Sequence, residues 1–196
     1  LETALRHARS EAEDSRRLAQ FGLIGYRYLD LGERERGMGV LEEGRRLAES
    51  LLKVSDPRTG RVLAEFAAKF ARIDGPAAIA IARGLASPED SRGFAGIALG
   101  LADRDPKEAE SALDRMPSKE WREDIVGRVA GRMAAKDAER ARRIVDALSN
   151  PVWRARGLAL MARGLAASDP KKAIGLVDES LDLLLHLSRE GAIPDH

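Results

Sequence analysis

The chain has 196 residues, of which 33 are Lys or Arg and 32 are Asp or Glu, so its formal net charge is +1. This balance excludes a general electrostatic field for nucleic acid or anionic lipid, and charge-based recognition must be local. The lack of cysteine excludes disulfides and thiolate metal sites, and no run of eighteen apolar residues predicts a transmembrane segment. We expect a soluble single domain over residues 1–196, excerpted from a longer bacterial protein, with the choice between cytoplasm and periplasm left open.

The first predicted hairpin covers residues 18–51. It carries glycines and large apolar residues at fixed spacing: Phe21, Ile24, Gly25, Tyr28, Gly32, Gly37, Leu41 and Gly44. The stretch FGLIGYRYLDLGERERGMGVLEEG resembles one tetratricopeptide unit, a pair of antiparallel helices. Phe21 replaces the family's usual Trp, and Gly37 and Gly44 replace its usual alanines. The resemblance implies a stack of helical hairpins that binds proteins, and the whole chain more distantly resembles the solenoid of bacterial membrane-coat-like proteins.

A second pattern follows, in which an Asp recurs every 31 or 32 residues, at Asp74, Asp105, Asp137 and Asp169. Large apolar residues stand eleven, eight and four positions before each Asp, and small residues stand ten, seven and three positions before it. Both sets fit one face of a helix. A second amphipathic helix follows each Asp, so we predict further hairpins at residues 57–86, 88–116, 118–148 and 151–190. The predicted fold class is all-α, an α-solenoid of about five antiparallel hairpins.

The recurring Asp is predicted to start the second helix of each hairpin. Its carboxylate can accept hydrogen bonds from the free N–H groups of a helix start, and a following Pro fits the first helical position. Between hairpins, Ser87-Pro88, Pro117-Ser118 and Asn150-Pro151 predict the starts of the next first helices. Trp121 and Trp153 stand sixteen positions before their Asp, and we interpret both rings as wedges between neighbouring hairpins.

Four basic side chains are candidates for a partner-binding groove: Lys69, Arg128, Arg132 and Arg163. They alternate with small residues on the first helices, which predicts a basic channel for an acidic peptide or a phosphate-bearing ligand. The alternative is that they are ordinary solvated charges. Arg61, Arg92 and Arg156 recur thirteen positions before their Asp, and we interpret them as part of a ladder of ion pairs between hairpins.

The last predicted helix, AIGLVDESLDLLLHLSRE, has more leucines than one buried face needs. Either this helix is longer and wraps back over the last hairpin, or it presents leucines to another copy, another repeat or a following domain. We predict an end interface that includes Leu183, Leu184 and Leu187. Gly191 and Pro194 are expected to end the helix.

No catalytic, metal-binding or cofactor-binding residues are predicted. The three histidines, His7, His186 and His196, lack the spacing of metal ligands, and no glycine-rich loop follows a strand. The leading hypothesis is a non-enzymatic scaffold with a groove and end faces for protein partners. In one form of this hypothesis, the scaffold is part of a membrane-coat-like assembly. A nucleic-acid-binding or glycosylase-like protein with a basic concave face is the alternative, and a helical-repeat enzyme is a third hypothesis.

Overall fold

The structure is a computed structural model that describes residues 1–54, 59–85 and 89–189. Within these residues it contains eleven α-helices and no β-strand, which confirms the all-α fold. The helices are Glu2–Ser10 (α1), Asp14–Asp30 (α2), Arg34–Val54 (α3), Gly60–Phe70 (α4), Gly75–Arg83 (α5), Glu89–Leu101 (α6), Pro106–Asp114 (α7), Lys119–Met133 (α8), Ala138–Asp146 (α9), Pro151–Leu165 (α10) and Pro170–Arg189 (α11).

The helices pack in a regular order. Each even-numbered helix from α2 to α10 contacts the odd-numbered helix that follows it, which forms a pair. Each of these first helices also contacts the first helix of the next pair, so that α2, α4, α6, α8 and α10 lie side by side. The additional helix α1 packs on α2. This order of contacts is compatible with a helical-repeat solenoid.

The predicted large apolar positions form the core. All twelve of them are buried: Leu63, Phe66, Phe70, Phe94, Ile97, Leu101, Val126, Val129, Met133, Leu158, Met161 and Leu165. The small positions beside them are buried in α4, α6 and α8, but Ala159 and Ala166 of α10 are exposed. In α4, α6 and α8 the next first helix covers these positions, whereas no described helix covers them on α10. Among the described residues, the α10–α11 unit therefore presents an open face.

The helix starts follow the predicted hydrogen bonds. The carboxylates of Asp74, Asp105, Asp137 and Asp169 accept hydrogen bonds from backbone N–H groups three residues later, at 2.9 to 3.1 Å. Ser118 and Asn150 cap α8 and α10 in the same way. These N-cap predictions are confirmed. The predicted start at Ser87-Pro88 and the predicted helix end at Gly191 and Pro194 lie outside the described residues.

Asp137 offers a direct test of the caps. The backbone N–H of Arg140, followed by the Arg140 guanidinium, lowers the pKa of Asp137. Since the folded-state pKa lies below the unfolded one, this stabilisation is present above the unfolded pKa and is lost as the pH falls through the folded pKa. We expect Asp137→Ala to cost about 1 kcal/mol at neutral pH, with a smaller difference from the parent protein in acid. Urea unfolding measures both values.

The matched variant Asp137→Asn keeps an oxygen that can cap α9. It should remain close to the parent protein at neutral pH and should lack the carboxylate's contribution to the pH dependence. Equal losses for the Ala and Asn variants would contradict a capping role for Asp137.

The α2–α3 hairpin depends on glycine for close approach. A Cβ on Gly25 would lie 2.5 Å from Leu41 Cγ and 3.2 Å from the Gly37 carbonyl oxygen, so larger residues would push the helices apart. Gly32 ends α2 with a φ of 79°, a conformation that favours glycine. The N–H of Glu33 donates to the Tyr28 carbonyl oxygen, which completes the glycine-dependent helix end.

The tryptophan prediction is wrong for Trp121, which remains 38% exposed. Trp153 is half-buried against the core. Arginine side chains lie over both rings: the Cζ atom of Arg92 is 5.7 Å from the centre of the Trp121 ring, and that of Arg156 is 5.0 Å from the centre of the Trp153 ring. Each ring therefore combines partial burial with a cation–π contact.

The arginine ladder is confirmed at one junction, where Arg156 Nη1 lies 3.2 Å from Asp124 Oδ1 of the preceding unit. Arg61 instead pairs with Glu65 of its own helix at 3.0 Å. Arg92 contacts the Trp121 ring of the following unit. Arg156 therefore pairs across a junction, whereas Arg61 pairs within its own helix.

Candidate peptide-binding cleft

Neighbouring first helices meet at a fixed register, which decides where the candidate side chains point. The residue six positions before the Asp of one unit meets residues nine and five positions before the Asp of the next. In the α4–α6 junction, a Cβ on Gly96 would lie 2.5 Å from Ala68 Cβ. In the α8–α10 junction, a Cβ on Gly131 would lie 2.8 Å from the Leu160 carbonyl oxygen. Small residues allow both junctions to close.

The α6–α8 junction is built differently. The two positions of α8 that face α6 hold Arg128 and Arg132, where the equivalent residues of α6 are Gly96 and Gly100. Arg132 Nη1 donates to the Leu99 carbonyl oxygen at 2.9 Å, across the junction. Helices α6 and α8 contact each other less extensively than α4 and α6 or α8 and α10 do. Bulky cations at these positions explain the wider junction.

A cleft of 300 Å³ opens beside this junction. We call it the basic cleft, and its lining comes from four successive first helices and the turns that follow them: Tyr26, Glu65, Ala68, Lys69, Arg72, Gly100, Asp103, Arg104 and Arg132. Four of these side chains are cationic and two are anionic. Ala68 and Gly100 leave room between the charged side chains.

The arginines of the basic cleft are held in place by defined contacts. Arg72 Nη1 lies 3.0 Å from Asp30 Oδ1, and its Cζ atom lies 4.4 Å from the centre of the Tyr26 ring. Arg104 Nη1 donates to the Arg72 carbonyl oxygen at 2.8 Å. An arginine has five N–H donors, so these contacts leave donors for a ligand. The guanidinium groups are therefore preorganised, which lowers the entropy cost of binding.

The same contacts have a structural role that sequence reasoning missed. Arg104 donates to a carbonyl oxygen in the turn after α4, and Lys136 donates to the Arg104 carbonyl oxygen in the turn after α6. Cations next to the C-terminal ends of helices stabilise unpaired carbonyl groups and the negative end of the helix dipole. A signal was present, because Arg104 and Lys136 both directly precede their Asp.

The structure brings together only two of the four candidate groove residues. Lys69 and Arg132 line the basic cleft. Lys69 is half-buried, and its stem lies close to Gly22. Arg128 is exposed one turn before Arg132, outside the lining of the basic cleft. Arg163 is exposed on the open face of α10, on the side away from α8. Sequence reasoning placed Arg163 with the others because it treated positions five and six before the Asp as one face.

The residues predicted for the end interface are also not the leucines that the structure exposes. Leu187 is buried, and Leu183 and Leu184 are half-buried. The Ser180 hydroxyl is buried and donates to the Ala155 carbonyl oxygen at 2.8 Å, which fixes α11 against α10. The exposed leucines of this helix are Leu181 and Leu185. The inward side of α11 therefore includes Leu187, and the available apolar surface lies on another side.

In the described part of the chain, a second charged cavity, a metal site and a membrane-spanning helix each have weaker support than the basic cleft. A cavity of 650 Å³ lies between the starts of α8 and α10, near Leu187, but its charged lining mixes Lys119 with Glu120 and Glu123. Among the described residues, no group of three or more His, Asp or Glu side chains is arranged to hold a metal ion. Among the described helices, none combines the length and the apolar character that crossing a membrane requires.

Comparisons with protein-family models, curated proteins and solved structures found no match to the chain. Fold class and local chemistry are therefore the basis for any statement about function.

Proposed function

We propose that the chain is a helical-repeat scaffold that binds an acidic peptide segment in the basic cleft. The observation that carries this proposal is the convergence of Lys69, Arg72, Arg104 and Arg132 on one cleft beside a wide junction. Carboxylates bind well to guanidinium groups because the planar donors can pair with both carboxylate oxygens. Aromatic Tyr26 adds an apolar contact for a peptide side chain.

Charge supports an anionic ligand. The four cations exceed the two carboxylates of the lining. Partners outside the lining pair with one group of each sign: Asp30 with Arg72 and Arg61 with Glu65, both at 3.0 Å. Lys69 Nζ contacts the Glu65 carbonyl oxygen at 3.5 Å, a long distance for a hydrogen bond. The Lys69 ammonium therefore keeps much of its capacity to bind a carboxylate.

The dimensions favour a short extended peptide. First helices in contact lie roughly 8–10 Å apart, so the distance from α2 to α8 is about 25 Å. An extended chain covers this distance with roughly eight residues. The basic cleft lies between α2, which supplies Tyr26, and α8, which supplies Arg132, so such a peptide would run across the stacked helices.

The α2–α3 hairpin supports a tetratricopeptide-like classification of the scaffold. Gly25, Gly37 and Leu41 make the close helix–helix contact that the small and large residues of the family's pattern would produce. Repeats of this class commonly present their first helices to peptide ligands, and the basic cleft is lined by first helices. We propose that the α2–α3 hairpin is a tetratricopeptide unit followed by more divergent units.

A binding assay with defined probes tests the proposal. The probe is a fluorescein-labelled peptide of Glu and Ser, about eight residues long, as an extended segment across the cleft requires. Its control has Gln in place of every Glu. We expect the Glu peptide to raise the fluorescence anisotropy at low salt and to bind more weakly as ionic strength rises. The Gln peptide should not bind.

The same assay with duplex DNA separates the nucleic-acid hypothesis from the peptide hypothesis. We expect no saturable DNA binding at the salt concentration at which the Glu peptide binds. Binding of DNA without binding of the Glu peptide would overturn the proposal. Equal binding of the Glu and Gln peptides would also overturn it, because the carboxylates would then contribute nothing.

A further inference from the structure

The end face of the last hairpin combines small and large apolar residues. On α10, Ala159, Arg163 and Ala166 are exposed along one side of the helix. On α11, the exposed apolar residues follow a helical spacing of three, four and four positions: Ile174, Val177, Leu181 and Leu185. Their exposed fractions, 63%, 42%, 52% and 53%, are high for aliphatic side chains on a single helix. Exposed aliphatic side chains that share one side of a helix are typical of an interaction site.

Two of these positions, Val177 and Ala166, correspond to positions that are interfaces between units inside the molecule. Val177 stands eight residues after its Asp, and the equivalent residues Ala82, Leu113 and Val145 are all buried. A Cβ on Gly157 of the following unit would lie 2.9 Å from the Val145 side chain. Ala166 is equivalent to Ala71, Ala102 and Ala134, which are also buried. The end face thus has the construction of a junction between units.

The opposite end of the molecule is not a free complement to this face. Helix α1 packs on α2 there, with Leu5 and Ala8 buried. Arg9 Nη2 pairs with Glu43 Oε1 of α3 at 2.5 Å, and the Tyr28 hydroxyl donates to Glu2 Oε1 at 3.0 Å. Helix α1 occupies the surface of α2 and α3 that head-to-tail stacking of a second molecule would need. If the end faces of two molecules bind each other, α1 does not block the contact.

The end face is complementary to itself. Helix α10 offers a flat stripe of alanines with one cation, Arg163, and α11 offers a raised stripe of large aliphatic residues. Asp178 and Asp182 are exposed along the edge of that raised stripe. We propose that the end face binds the end face of a second copy, as a two-fold dimer in which α11 of each protomer packs on α10 of the other. In this dimer Arg163 faces the acidic edge formed by the partner's Asp178 and the partner's Asp182.

Sedimentation velocity over a range of protein concentrations tests the dimer. The parent chain should shift towards a species of twice the chain mass as concentration rises. Leu181→Asp places a charge at the centre of the end face and should abolish this shift. Leu23→Asp is the matched control, because Leu23 is 60% exposed on α2 at the other end of the molecule. The control should dimerise as the parent does.

A charge exchange tests the pairing itself. Arg163→Asp should weaken the dimer by at least tenfold, and adding Asp178→Arg and Asp182→Arg to the same chain should restore much of the lost affinity. Circular dichroism and thermal unfolding of each variant show whether the fold is retained. A parent chain that stays monomeric at every concentration overturns the proposal, because the face then serves another occupant. Loss of dimer in Leu23→Asp, or no rescue by the exchanged charges, overturns it as well.

Discussion

Replacing Gly164 with valine should lower the free energy of unfolding by about 3 kcal/mol, because it overpacks a close backbone contact between α8 and α10. A Cβ on Gly164 would overlap the Gly131 carbonyl oxygen, and it would lie 3.4 Å from Ala134 Cβ. Backbone atoms cannot move aside as the end of a flexible side chain can. Helices α8 and α10 must therefore separate, which exposes part of the core around Met161. Urea unfolding followed by circular dichroism measures the loss.

Gly39→Val is the matched control for this variant. Gly39 lies on the exposed side of α3, and no atom lies within 4 Å of a Cβ placed on it. Glycine and valine differ by only a few tenths of a kcal/mol in helix propensity, so stability should hardly change. Equal losses for the two variants would mean that the register of α8 and α10 is wrong.

The double variant Lys69→Glu, Arg132→Glu should weaken binding of the Glu peptide by about a hundredfold, because each of the two lost charge-assisted hydrogen bonds contributes roughly 1.5 kcal/mol. Both side chains line the basic cleft, from α4 and α8. Reversal also adds repulsion between the new carboxylates and those of the peptide. Anisotropy at low salt measures the change, and circular dichroism checks that the fold remains.

A control with the same change in net charge is Lys53→Glu, Lys107→Glu. Both lysines are exposed and lie outside the lining of the basic cleft. This control should reduce affinity only slightly, through the altered charge of the whole chain. The neutral pair Lys69→Gln, Arg132→Gln should fall between the parent and the reversed variant. Similar losses for the Lys53/Lys107 and Lys69/Arg132 reversals would show that attraction is general and that the basic cleft is not the site.

The sequence was sufficient for the paired helices and for most of the core, because both depend on local chemistry, but the predicted hairpins did not include α1. An Asp three residues before a free N–H caps a helix wherever the chain runs, and large residues with helical spacing must find a common apolar neighbour. Asp137 and Met133 illustrate the two cases: the first caps α9, and the second is fully buried.

The candidate site could be predicted only in part because it depends on how neighbouring units meet. Lys69 and Arg163 differ by one position relative to their Asp, which is enough to point them towards opposite neighbours. Sequence spacing alone does not give the register between helices. Arg72 and Arg104 were missed for a related reason, since they lie in turns and reach the basic cleft through contacts with other units.

The end face shows the same limit. The excess of leucine on the last helix correctly indicated more than one apolar side, but Leu187 turned inwards while Leu181 and Leu185 remained exposed. The choice follows from how α11 docks on α10, with the buried Ser180 hydroxyl bonded to Ala155. The pattern of leucines could not reveal this rotation.

The most direct measurement of the central claim is an NMR titration of the ¹⁵N-labelled chain with the Glu peptide, with amide shifts recorded for every assigned residue. The largest saturable shifts should cluster around Ala68, Gly100 and Arg132, in α4, α6 and α8, and raised salt should reduce them. The α11 amides near Leu181 should remain unchanged. Absent shifts, or shifts concentrated away from the basic cleft, would contradict the proposal that this helical scaffold binds acidic segments there.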